Sequence, residues 1–201
     1  MSKCADPAVP ASRGGMTVRT LASCALLAAL SVVFARLFSL IPSAYSRFSI
    51  EAVPVFLSGV LFGPLAGGLV GFTADSVGCL FSPFGYNPIF SVPPVLYGVC
   101  GGLFRRYLAR KTSFGRVLLA FAPAAVLGSV LWQSFALTLV YFKDGPFLAG
   151  FLARLGARGI QFAVTAAVDA LLLSLLFKTR ILVRAGVWPP KLRADERKSD
   201  Q

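Results

Sequence analysis

The stretch LFGPLAGGLVGFTAD, residues 61–75, decides how the chain is read. It is apolar, yet it carries Gly63, Gly67 and Gly71, a proline at 64 and an aspartate at 75. Positions 63, 67, 71 and 75 step by four and fall on one side of an α-helix. Gly63-Pro64 predicts a tight turn, because proline suits the first position of a helix and keeps the preceding residue out of the α region. A helix over 64–81 is then expected, with glycines and one carboxylate sharing a face.

Working outward, the 201 residues are 56% hydrophobic and 14% charged, with a mean hydropathy of +0.74. That balance is too apolar for an ordinary soluble domain of this length. Apolar stretches approach the ~20 residues a helix needs to cross a bilayer. The fold class expected is an all-α integral membrane protein with six transmembrane helices, at 16–40, 50–62, 64–81, 89–104, 117–142 and 151–177. Residues 1–15 and 185–201 are expected as polar tails around a membrane domain of 16–184.

The net charge of +12 is unevenly spread. Of the twenty Lys and Arg, three lie before Thr20, five between Arg105 and Arg116, and seven from Lys178 onward. Basic residues favour the cytoplasmic side, so both termini are placed there and the segments around 41–49, 82–88 and 143–150 face outward. An anionic lipid leaflet is the expected partner for this charge, and no nucleic acid is expected.

The chain has four cysteines, none in a C-x-x-C pair, and no histidine, which predicts neither a metal site nor a cofactor. LASC at 21–24 stands before its apolar run, so no cleaved signal is expected. The sequence holds no G-x-x-x-x-G-K-[ST] loop and no serine with a candidate base, and no catalytic residue is assigned.

Helices two and three are short and broken by Gly and Pro. Two readings follow: a cavity near the membrane, as in transporters, or a pair of tilted or re-entrant helices. Gly63, Gly67 and Gly71, with Gly98 and Gly102, predict close backbone approach between helices. Asp75 lies about 16 Å along its helix from Pro64, where an ionisable group is costly enough to need a partner or a wet pocket. A ligand contact and a buried ion pair both satisfy that need.

The last span carries a polar stripe, Arg154, Arg158, Gln161, Thr165 and Asp169, at i, i+4, i+7, i+11 and i+15. Its arginines suit carboxylates through paired hydrogen bonds, although Arg154 could instead snorkel to the interface. Asp169, deeper in the span, is expected to have a structural partner. Trp132 and Gln133, and Tyr86 with Asn87, offer a flat surface and amide hydrogen bonds to an aromatic ligand, or serve as interfacial anchors. Ala25 and Ala29, four apart on the first helix, form a small-residue face.

Together, the first helix with Arg36 near its outer end, RFSIEAVPVFLSGVLFGPLAGGLVGFTADSVG at 47–78, FSPFGYNPIFSVPPVLYGVCGGL at 81–103 and RLGARGIQ at the start of the last helix resemble the substrate-binding (S) components of energy-coupling factor (ECF) transporters, specifically the folate family. The resemblance implies a six-helix subunit that captures folate or a related pteridine and delivers it to a transmembrane T component and two cytoplasmic ATPases. It implies a prokaryotic cytoplasmic-membrane location and no enzymatic activity. It places Arg36, Arg47, Asp75, Tyr86 and Asn87 around an outer pocket, with Arg158 and Gln161 across from them, and assigns Ala25 and Ala29 to the T component. An S component for another vitamin, and a stand-alone secondary transporter using Asp75 and Asp169 for proton coupling, are the alternatives.

Overall fold

The structure is a computed structural model that describes residues 18–39, 50–80, 87–110, 113–141 and 147–179, with some side chains of the last helix outside the description. The described residues form helices: α1 (Val18–Ser39), α2 (Ala52–Phe62), α3 (Pro64–Leu80), a 3₁₀ turn (Pro88–Ser91), α4 (Val92–Leu103), α5 (Arg105–Arg110), α6 (Phe114–Ala124), a π-helical segment (Ala125–Trp132), α7 (Gln133–Tyr141) and α8 (Phe147–Lys178).

Three stretches are long and apolar enough to cross a membrane, Val18–Leu37, Phe114–Val140 and Gln161–Lys178. Three shorter apolar helices, Ala52–Phe62, Pro64–Leu80 and Pro88–Leu103, lie between the first two. The short ones make the centre of the fold. α2 has 11 residues, about 16 Å at ~1.5 Å per residue, well under a ~30 Å hydrocarbon core. Its residues 52–61 are all buried, so it is sheathed by α1, α3, α4 and α8.

Lipid offers no hydrophobic reason for helices to associate, so close packing has to hold them together. Glycines provide it. A Cβ at Gly67 or Gly59 would collide with the Gly98 backbone, one at Gly71 with the Pro94 carbonyl, one at Gly101 with the Phe56 carbonyl, and one at Gly102 with Pro64. The face expected on α3 therefore packs on α4 along its length. Gly63 does not belong to that face: it sits in the turn, at φ 101° and ψ 173°, backbone that only glycine adopts without strain. Its N–H caps α2 on the Gly59 carbonyl at 2.8 Å.

The second half is packed by side chains. Phe121 of α6 stands 5.2 Å from the Phe56 ring and 4.9 Å from the Tyr97 ring, centroid to centroid, which ties α6 to α2 and α4. The continuous helix expected over 117–142 is interrupted. Pro123 has no N–H to donate and its ring crowds the carbonyl four residues back, and the helix passes into a π-helical segment two residues later. α5 was not expected either: Arg105–Arg110 forms a short extra helix, with Arg116 lying over the Tyr107 ring at 5.0 Å.

Candidate functional site

The polar groups collect where the 3₁₀ turn meets α3 and the π-helical segment. Asn87 opens that turn with extended backbone, and its side-chain oxygen accepts the Ile89 N–H at 3.2 Å. Pro88, Pro93 and Pro94 suit an entering helix, since their missing N–H groups fall in a first turn where no bond is due. The turn puts buried Ser91 against α3, where its hydroxyl donates to Asp75 Oδ2 at 2.5 Å. Asp75 is half-buried, so the fold meets its carboxylate with a neutral hydroxyl.

Trp132, at the end of the π-helical segment, donates its indole N–H to the Ile89 carbonyl at 2.8 Å and stacks obliquely near Phe135. It anchors the 3₁₀ turn. Further along α4, the buried Tyr97 hydroxyl is bonded to Ser129 Oγ at 2.8 Å. The wider π turn is what brings Ser129 round to α4 after Pro123.

On α1, the Arg36 guanidinium donates to the Gly78 carbonyl, which ties the end of α1 to the end of α3 near Asp75. Ser31 adds a second tie, from its hydroxyl to the Glu51 carbonyl at 2.8 Å. Ala25 and Ala29 lie on the exposed side of α1, beside exposed Leu26 and Leu30, and are free to meet lipid or a partner.

On α8 the described part of the polar stripe, from Gln161 onward, turns inward. Gln161 is half-buried, and its carbonyl accepts the Thr165 hydroxyl at 3.0 Å. Thr165 and Asp169 are buried, at 5% and 2% exposure. Of the Asp169 carboxylate, Oδ1 is buried with no hydrogen-bond partner among the described residues. Glu51 and Tyr97 lie within electrostatic range of it.

The structure thus brings Arg36, Asp75 and Asn87 to one end of the helix cluster. Arg47 and Tyr86 lie outside the described residues, as do the side chains of Arg154 and Arg158, although both of these positions are on α8. Sequence reasoning missed Ser91, Tyr97 and Ser129. A serine one residue ahead of a Pro-Pro pair, at the N-cap position of the helix, is a signal that could have found Ser91.

Comparison with known proteins places this arrangement in context. The sequence model described as "ECF-type riboflavin transporter, S component" matches residues 15–178. A curated relative, the folate transporter FolT of Clostridium novyi (strain NT), is 34% identical over 145 residues, which is 72% of this chain and 81% of the relative. Among solved structures, the fold is similar to a crystal structure of FolT bound with folic acid, with a TM-score of 0.64 and 28% identity over 80% of this chain and 95% of the other.

Proposed function

This chain belongs to the ECF-type riboflavin transporter S-component family, and on that footing we propose that it is the high-affinity folate-binding membrane subunit of an ECF importer in a prokaryotic cytoplasmic membrane. It has no catalysis of its own. It hands its vitamin to a T component docked on the Ala25 and Ala29 face, and two ATPases supply the energy. We propose six spans across 16–184, the three short helices included, with the tails 1–15 and 185–201 in the cytoplasm.

The observation that carries the reading is the half-buried carboxylate of Asp75 held by the Ser91 hydroxyl, beside Asn87 and Trp132, at one end of an apolar bundle. Polar groups at this depth are retained at a cost and mark a ligand or ion path. The family description names riboflavin and the two relatives name folate. We take folate, because its glutamate tail carries two carboxylates while riboflavin carries none. To Arg36, Arg47 and Arg158 we assign the matching charge. Asp75, Tyr86, Asn87 and Gln161 supply hydrogen bonds to the remainder.

Calorimetric titration of the purified protein in detergent tests this. Tight binding of folic acid, unaffected by excess riboflavin, is expected. Binding of riboflavin alone would give the site to the second vitamin instead. Folate uptake by vesicles holding this subunit without ATPases is expected to be absent, and its presence would favour a self-sufficient transporter.

A further inference from the structure

The surface of the second half carries an open groove between α6 and α8, lined by Phe114, Ala163, Val164, Ala167, Val168 and Leu171. Every side chain in that lining is apolar. Its volume, about 560 Å³, is that of a ligand cleft rather than of a gap between neighbouring side chains. Ala163 and Ala167 are exposed and small, which leaves room there, while the larger Phe114, Val164 and Leu171 around them are close to half exposed.

The groove face leads to charge. Phe114 opens α6 and Lys178 closes α8, and the same two residues end the apolar stretches Phe114–Val140 and Gln161–Lys178. α8 packs on both α6 and α7, so the chain doubles back and those two ends meet one membrane surface. Val164, Leu171 and Lys178 are spaced by seven residues, two helical turns, and share a face of α8. Exposed Lys178 therefore stands about 10 Å beyond Leu171 along that face. In the first turn of α6, two residues after Phe114, the Arg116 guanidinium lies over the Tyr107 ring at 5.0 Å, a contact that holds it in place without an acceptor atom. No acidic residue occurs between Arg105 and Arg116 or on α6, and Asp169, the one acid of α8, is buried on the face opposite Lys178.

We propose that this groove is a binding site for one anionic phospholipid, an acyl chain lying along the Val164–Leu171 face and the phosphate held between Lys178 and Arg116. The apolar lining alone selects no particular lipid, since every acyl chain covers it equally well. Selection comes from the two cations at the level where the spans end, each favouring an anionic headgroup roughly fivefold. The same cations disfavour a second copy of the chain as occupant, because a symmetric pair closing on this groove brings like charges together. The Ala25 and Ala29 face assigned to the T component is elsewhere, on α1, which packs against α2 and α3. The site is independent of which vitamin the protein binds.

The experiment counts lipids bound to the full chain by native mass spectrometry from detergent, titrating dioleoyl-phosphatidylglycerol and dioleoyl-phosphatidylcholine separately. The wild type is expected to take its first phosphatidylglycerol at least about tenfold more tightly than its first phosphatidylcholine. Lys178→Gln combined with Arg116→Gln keeps the groove and removes the charge, and is expected to bring that ratio below about twofold. Ala167→Phe fills the groove at an exposed position and is expected to weaken phosphatidylglycerol binding about tenfold. Glycerol phosphate, a headgroup without chains, is expected not to compete. Equal affinity of the wild type for the two lipids overturns the proposal, and needs no variant to fold. So does a preference that survives the double substitution, binding undiminished in Ala167→Phe, displacement by glycerol phosphate, or a protein dimer that forms as the lipid leaves. Folic acid affinity is expected to be the same in all three proteins, so failure here leaves the vitamin reading where it stood.

Discussion

The two halves of the bundle are built on opposite terms. α2, α3 and α4 meet backbone to backbone along Gly59, Gly67, Gly71, Gly98, Gly101 and Gly102, with no room for a single methyl group. α6 and the π-helical segment meet α2 and α4 through rings and a pair of hydroxyls, and the second half contains an interrupted helix and a carboxylate oxygen without a hydrogen-bond partner among the described residues. The first half gains its stability from close fit. The second leaves the buried Asp169 Oδ1 and the Ser134 hydroxyl without hydrogen-bond partners among the described residues, a condition the Ser76 hydroxyl of the first half shares.

That contrast breaks most sharply at Gly98. The Gly67 backbone stands where its Cβ would go, so Gly98→Leu is expected to cost more than ~4 kcal/mol and leave no monodisperse protein on size-exclusion chromatography. Normal yield and thermal stability would show that the first half is not held by close fit. Next in size, Arg158→Ala on the other side of the comparison is expected to weaken folic acid binding by about 1.5–3 kcal/mol, the value of a hydrogen bond to a charged group, with its melting temperature unchanged. A loss of stability without loss of affinity would move Arg158 out of the site.

A smaller effect is expected at Trp132→Phe. It keeps the ring and deletes the indole donor to Ile89, which should destabilise by about 0.5–1.5 kcal/mol in a thermal melt and loosen ligand retention through the 3₁₀ turn. The smallest belongs to Gly115, at the start of α6, where an added Cβ meets nothing within 4 Å. Gly115→Ala should change stability by no more than ~1 kcal/mol, in the stabilising direction, because alanine is the better helix former. A large loss there would mean that glycine content, rather than glycine position, governs the fold.

Much of the first half could be read directly from the chain. Gly63-Pro64 announced its turn, and four-residue spacing announced the α3 face, because both are local properties of backbone and period. Asp75 was legible as a costly residue, but its partner was not, since Ser91 reaches it through a turn sixteen residues later. The second half was harder. Pro123 signals a disturbed helix without saying that a π turn will follow and swing Ser129 toward Tyr97. Asp169 was visible on the polar stripe, yet whether its oxygens are satisfied depends on how Thr165, Tyr97 and Glu51 are oriented, which no spacing within one helix encodes. The two arginines of that stripe rest on sequence reasoning and family likeness.

The brevity of α2 bears on how the protein is made. A segment of 11 residues is too short to be held by the bilayer as it leaves the ribosome, and its burial leaves it no lipid-facing side of its own. It can be retained only when its neighbours arrive, so α2 and α3 should enter the membrane as a paired unit closed at Gly63. The order of biogenesis is in that sense written into a single hinge.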